Sequence, residues 1–268
     1  MIPNILSIAG SDPSGGAGIQ ADLKAISANG GYGMAAITAL TAQNTRGVRA
    51  VRLVEPDMVA AQVAAIRDDV RIDAVKVGML GSAAIVEAVA DALGGLPAPV
   101  VLDPVMVAKG GDRLLAPEAV AAMQDRLLPM AGVITPNLPE AADLLGVAMA
   151  KTRAEMEAQA QALLALGPGA VLLKGGHLDG RESPDLLCDA TGAHWIEGAR
   201  HATQNTHGTG CTLSSALATR IGRGLPMSEA VAQAKSYIAA AIARSGDLSV
   251  GSGHGPVHHF HAFKQEIA

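Results

Sequence analysis

Short apolar runs alternate with stretches in helical register along most of this chain. Apolar runs occur at residues 4–9, 34–42, 74–77, 100–102, 132–134 and 170–173. Between them, apolar residues recur at helical spacing over 19–26, 56–67, 82–93, 117–128, 138–145 and 153–166. Near-continuous apolar strands separated by helices predict a mostly parallel central sheet covered by helices on both faces. Residues 186–189 and 194–197, joined through Ala190-Thr191-Gly192-Ala193, predict a small antiparallel hairpin at the sheet's edge. Two further helices are expected at 209–223 and 228–245, followed by a weakly patterned tail rich in Gly and His. No internal repeat or compositional break divides the chain, so the expectation is one domain over residues 1–268.

The polar residues that interrupt this pattern recur where the apolar runs end. Ser11 and Asp12 follow the first run, Gln43 the second, Gly78 and Met79 the third, Asp103 the fourth, Asn137 the fifth and Lys174 the sixth. Open parallel sheets bind ligands outside the carboxyl ends of their strands, so these positions predict one active-site edge. Two Gly-rich stretches stand at helix starts. The first, Gly10 to Gly18, carries neither a Walker A lysine nor a dinucleotide fingerprint. The second, Asn205 to Ala216, places Gly208, Thr209, Gly210 and Cys211 at the start of an Ala-rich helix. Unpaired backbone N–H groups and the helix dipole favour an anion there. The same field is expected to lower the pKa of Cys211 and prepare it as a proton acceptor. The bland reading of this stretch is a capped helix start with a small buried Cys.

Composition narrows the class. Apolar residues make up 49% and charged residues 17% of 268 positions, ample for a large core. A formal net charge of −5, without blocks of like charge, argues against nucleic acid or an anionic membrane as partner. The N-terminus lacks a basic leader, no run is long enough to span a bilayer, and Cys188 and Cys211 alone make no disulfide framework. A cytoplasmic location is the expectation. His258, His259 and His261 lack Cys partners at zinc spacing and read as structural or surface residues.

Eight blocks in order along the chain resemble the ribokinase-like superfamily, and within it the hydroxymethylpyrimidine/phosphomethylpyrimidine kinase family. They are residues 9–25, 38–48, 76–80, 101–115, 134–141, 172–177, 205–216 and 255–261. The resemblance implies a three-layer α/β fold and Mg-ATP-dependent phosphorylation of the hydroxymethyl group of an aminopyrimidine. It further implies a second phosphorylation to the pyrophosphate, and commonly a homodimer. Gly208, Thr209 and Gly210 would hold the transferring phosphoryl group, and Cys211, where the superfamily generally carries Asp, would take the acceptor's proton. Gln43 would pair with the pyrimidine, with Gly10, Asp12, Asp22 and Met79 lining its pocket. Asn137, Lys174 and Thr209 would contact ATP, and Asp103 and Glu140 would serve Mg²⁺. His207 either supports phosphate charge or points away. Residues 108–112 are a candidate flap. Pyridoxal kinase activity, sole or additional, is the nearest alternative, and a ligand-binding regulator without catalysis is the second.

Overall fold

The computed structural model describes residues 1–106 and 116–263; the candidate flap at 108–112 lies outside the described residues. Eight strands form the main sheet in the order β10-β9-β8-β7-β6-β5-β1-β2. They are β1 (Asn4–Ala9), β2 (Tyr32–Ile37), β5 (Ala74–Val77), β6 (Val100–Leu102), β7 (Val133–Ile134), β8 (Ala170–Lys174), β9 (Asp185–Asp189) and β10 (Gly192–Ile196). β2, β1, β5, β6, β7 and β8 run parallel, whereas β9 and β10 form the expected antiparallel hairpin at one edge. A separate antiparallel pair, β3 (Ala39–Asn44) and β4 (Gly47–Leu53), stands apart from this sheet.

Alternation along the strands divides the core between the two faces. Leu6, Ile8, Val75 and Val77 face one apolar cluster, built with α2 (Pro56–Asp69), α3 (Ala83–Leu93), α4 (Pro117–Ala122), α5 (Leu138–Leu145) and α6 (Arg153–Leu164). Ile5, Ala74, Val101 and Leu172 face the other, with α1 (Gly18–Ala28), α7 (Thr209–Gly222) and α8 (Met227–Ala243). The sheet is thus covered on both sides, as the continuous apolar strands require.

Two departures from the sequence reading bear on the site. The single apolar run over 34–42 is broken at Thr38, whose hydroxyl donates to the Met79 carbonyl at 2.7 Å while its carbonyl accepts from Val54 N–H. The chain therefore leaves the main sheet after β2 and re-enters a hairpin as β3, which carries Gln43 over the strand ends. The helix expected over 117–128 is α-helical only to Ala122. A π turn at Met123–Leu127 and a 3₁₀ turn at Leu128–Met130 follow, with Pro129 barring further helix.

Candidate active site

Five parallel strands end along one edge, and their following residues converge on a cavity of about 830 Å³. Gly10 and Asp12 after β1, Met79 after β5, Asp103 after β6, Asn137 and Glu140 beyond β7, and Lys174 ending β8 all line it. Gln43 of β3 enters from the hairpin, and Gly208, Thr209, Gly210 and Cys211 form the wall at the start of α7. Twelve of the thirteen candidate positions therefore share one cavity.

Asp22 is the exception, and the expectation that it lines the substrate pocket is corrected. Its side chain is fully buried beneath the cavity in an ion pair with Lys76, at 2.9 and 2.8 Å to its two oxygens. Ser7 and Ser215 hydroxyls complete its contacts at 2.7 and 2.8 Å. Three donor groups make four hydrogen bonds to this carboxylate, and a ligand could displace none of them without cost.

The anion turn is shaped by close backbone approach. Gly208 has φ +75°, and a Cβ there would fall on the Gly16 carbonyl oxygen. A side chain at Gly18, φ +54°, would fall on the Gly10 carbonyl oxygen. Only glycine meets both demands at these two positions. The starts of α1 and α7 are thereby pressed together, and Cys211 sits between them with its sulfur accepting a hydrogen bond from the Gly18 N–H. At Gly210 an added Cβ would lie 3.2 Å from Lys174 Nζ and 3.4 Å from Asp103 Oδ2, so this turn and those charges enclose a common space.

Electrostatics corrects a second expectation. The Cys211 thiol is pushed up to about 11, chiefly by burial and further by Asp22 and Asp103, although Lys76 and the Gly18 N–H pull it down. Desolvation of the thiolate outweighs the helix-terminus field on which the sequence argument rested. Lys174 donates to Asp103 Oδ1 at 3.0 Å, and Thr135 Oγ1 reaches the same oxygen at 3.1 Å. Burial opposes ionisation of Asp103, yet Lys174 and Lys76 hold its pKa below the ordinary carboxylate value. Glu140 is pushed up to about 7 by burial, with Asp103 and Asp143 adding to the rise. Glu140 and Asn137 also form a reciprocal cap, 2.8 Å in each direction, that starts α5. The capping and ligand-facing readings of this pair coexist.

Asp12 is a hub. Its Oδ1 accepts from Ser14, its Oδ2 from the Gly16 and Ala17 N–H groups, and His207 Nε2 lies 2.8 Å from Oδ2. Burial works against the Asp12 carboxylate, but hydrogen bonds from His207 and Ser14 lower its pKa to about 2. His207 thus points into the cavity wall, and its ring lies 3.5 Å from the Gln43 side-chain nitrogen.

The His-rich tail is structural. His254 and Gly253 N–H groups bond the carbonyl and hydroxyl of Thr45 at 2.9 and 3.1 Å, next to the Gln43 hairpin. The Gly255 carbonyl accepts from His207 N–H at 3.0 Å, and buried His259 lies 3.0 Å from the Thr212 hydroxyl in the first turn of α7. His261 packs against the Tyr237 ring, with centroids 5.3 Å apart. The sequence reading missed the place of Lys76 in the cavity wall and that of Arg200, whose guanidinium binds the Gly176, Leu178, Gly180 and Glu182 carbonyls of a neighbouring loop. A lysine inside an apolar strand was the available signal for the first, since such a charge demands a buried partner. Arg200 gave no comparable signal.

Comparison with known proteins agrees with this geometry. The family model for phosphomethylpyrimidine kinase matches residues 12–258. The chain is 56% identical over 261 residues to the hydroxymethylpyrimidine/phosphomethylpyrimidine kinase of Escherichia coli (strain K12), covering 97% of this chain and 98% of that protein. It is 53% identical to the Rhizobium meliloti (strain 1021) protein of the same name over 256 residues, 96% of each chain. Among solved structures, phosphomethylpyrimidine kinase from Clostridium difficile 630 superposes with TM-score 0.78 at 42% identity, covering 88% of this chain and 97% of that one. Bacillus subtilis pyridoxal kinase in an ADP complex superposes with TM-score 0.90 at 38% identity, covering 98% and 99%.

Proposed function

The chain belongs to the phosphomethylpyrimidine kinase family, and from that premise we propose that it phosphorylates an aminopyrimidine's hydroxymethyl group with ATP and then phosphorylates that product again. The reading places it in thiamin biosynthesis, with 4-amino-5-hydroxymethyl-2-methylpyrimidine as the first acceptor. One observation carries it: the Gln43–Met79 end and the Gly208–Cys211 turn open into the same cavity. Gln43 offers both a carbonyl and an amide to the ring nitrogen and exocyclic amine of the pyrimidine. Met79 supplies an apolar wall and Gly10 leaves room beside it. Asp12 acts on the substrate pocket chiefly by holding the Gly-rich loop against His207.

In the first step the acceptor oxygen attacks the terminal phosphorus, its proton passes to the Cys211 sulfur as thiolate, and ADP departs with the bridging oxygen's electron pair. Backbone N–H groups of Gly208, Thr209 and Gly210 meet the charge that develops on the transferring group. Lys174 acts on phosphate oxygens as a point charge beside Asn137. In the second step the acceptor is an anionic phosphate, which needs no base.

Mg²⁺ fits the donor set as an ion held largely by substrate. Asp103 and Glu140 are carboxylates on the same wall, yet no described group of three or more His, Cys, Asp or Glu residues gathers around a metal position. A cation that keeps its waters and rides on phosphates needs no more than these two. When bound, it neutralises phosphate charge and orients the nucleotide.

We further propose a single kinase domain that works in the cytoplasm as a homodimer. No described helix is long and apolar enough to cross a membrane. The β3–β4 hairpin leaves Leu40 55% and Leu53 44% exposed, which favours a partner subunit covering it. Light scattering after size exclusion tests the dimer, and a monomer at micromolar concentration refutes it.

Mass spectrometry of products from hydroxymethylpyrimidine and Mg-ATP tests the activity. One and then two added phosphates are expected, and no phosphorylated product refutes the reading. The fold shared with pyridoxal kinases supports pyridoxal as an additional acceptor. A larger kcat/KM for pyridoxal than for the pyrimidine reverses the order of preference.

A further inference from the structure

The Lys76–Asp22 pair beneath the cavity has no role in the chemistry described so far. Both side chains are fully buried, a poor way to add stability, because desolving two charges offsets most of their attraction. Their position is specific. Asp22 is held by Ser215, one helical turn after Cys211 on α7, so the two α7 residues share a face of that helix. Lys76 projects from β5 toward the same α1–α7 layer and lines the cavity together with Cys211.

The donor count is equally specific. Asp22 accepts four hydrogen bonds, two from Lys76 and one each from Ser7 and Ser215. An ammonium carries three N–H donors, and its only hydrogen-bond acceptors among the described residues are the two Asp22 oxygens. Gly78 leaves the ammonium its room, since a Cβ there would lie 2.7 Å from Lys76 Nζ. Charges interacting with the Cys211 sulfur come from four places in the fold: Lys76 of β5, Asp22 of α1, Asp103 after β6 and Lys174 of β8. Lys76 is the charge that favours a thiolate most.

We propose that Lys76, fixed by Asp22, is a positioning residue for the proton transfer at Cys211, supplying the positive charge against which the sulfur holds its negative charge until it takes the acceptor's proton. The balance is closed. Cys211 releases its proton to water and stands as thiolate opposite the ammonium. The thiolate takes the acceptor's O–H proton as the acceptor oxygen bonds to phosphorus and the bond to the ADP oxygen breaks. Lys76 stays protonated throughout. Burial raises the thiol's pKa, and Lys76 is the charge that most limits that rise.

This proposal rests on the phosphoryl-transfer reading, and its first test does not need activity. Alkylation of Cys211 by iodoacetamide is followed across pH by peptide mass spectrometry in the full chain. The variants are wild type, Lys76→Met/Asp22→Leu, which removes both buried charges together, and Ser215→Ala, which removes one donor to Asp22. Lys76 lowers the thiol's pKa more than Asp22 raises it, so removing both leaves a net rise, and the paired replacement is expected to slow alkylation about threefold at a fixed pH below the thiol's titration. Ser215→Ala is expected to slow it by a smaller factor. The second test is the ratio of the two phosphorylations: the paired replacement should lower kcat of the first at least tenfold more than kcat of the second, with KM for the pyrimidine changed less than threefold. A merely structural role would lower both steps alike. An unshifted alkylation profile in a folded paired variant overturns the proposal; if that variant does not fold, an unshifted profile in Ser215→Ala does so. A wild-type chain without kinase activity would refute the function while the alkylation result still decided the electrostatics.

Discussion

His207 Nε2 lies 2.8 Å from Asp12 Oδ2, joining the turn before α7 to the Gly-rich loop before α1 across 195 residues of sequence. With the glycine contacts at Gly16 and Gly208, this bond ties the two halves of the cavity wall together. Asp12 keeps its carboxylate at a pKa of about 2 against an ordinary 3.8, so its stabilisation is fully present above pH 3.8 and is lost as pH falls through 2. The linkage amounts to about 2 kcal/mol. Asp12→Ala also strands the Ser14, Gly16 and Ala17 N–H groups and should cost about 2–4 kcal/mol in urea melts at pH 7. At pH 2 the difference from wild type should shrink.

Cys211→Ala should leave folding intact and lower kcat for the first phosphorylation by about 10²–10⁴-fold, the usual worth of a positioned base. The second phosphorylation, with a nucleophile already anionic, should fall by less than about tenfold. Separate assays with the alcohol and the monophosphate read the two effects. Equal losses in both would mean that Cys211 shapes the site without taking a proton.

Burial pushes the Glu140 carboxyl up to about 7 from an ordinary 4.5. Its folded pKa is raised, so the folded state binds the extra proton and loses stability as pH climbs from 4.5 through 7. Glu140→Gln keeps an acceptor for the α5 cap and removes that penalty. It should be about 1–3 kcal/mol more stable than wild type at pH 8 and nearly equal at pH 4.5, by chemical denaturation. Kinase activity should nonetheless fall, because the carboxylate offered to Mg²⁺ is gone. A stability gain that does not grow with pH would contradict the assignment.

Gly208→Ala combines a positive φ with a collision against the Gly16 carbonyl. The turn must open, and kcat should fall at least about 10²-fold, the scale of losing a fixed donor at the developing charge. Thermal stability should fall as well, by several degrees. Phosphorylation kinetics and a melting curve check both.

How much of this was legible before folding differs by element. α5 occupies Leu138–Leu145 as read, because Asn137 and Glu140 cap one end and left-handed Gly146 closes the other. β5 and β6 also match, since each is a short, largely apolar run flanked by an acidic residue, Asp73 before the first and Asp103 after the second. The β2–β3 break was hidden, because nothing in the run from Met34 to Ala42 distinguishes a strand from a strand that changes sheets. The bend depends on Met79, 41 residues away from Thr38. β4 was missed because Arg49 and Arg52 interrupt its alternation and most of it is exposed. Within the site, residues at strand ends were readable from position alone. Asp22 was misplaced and Lys76 overlooked because their partnership spans 54 residues and the sheet's interior. The Cys211 thiol was misjudged for a related reason: a helix start is visible in sequence, whereas the depth of its burial is not.

The tail from Gly253 to His259 laces Thr45, His207 and Thr212 together, although it is among the last of the described chain to leave the ribosome. Every strand of the central sheet precedes it in translation. A nascent chain halted after α8 would therefore hold every strand of the sheet, yet lack Val257 of the core and the stitches that register one catalytic loop against the other. Birth order thus puts the alignment of the two catalytic loops after the assembly of the central sheet.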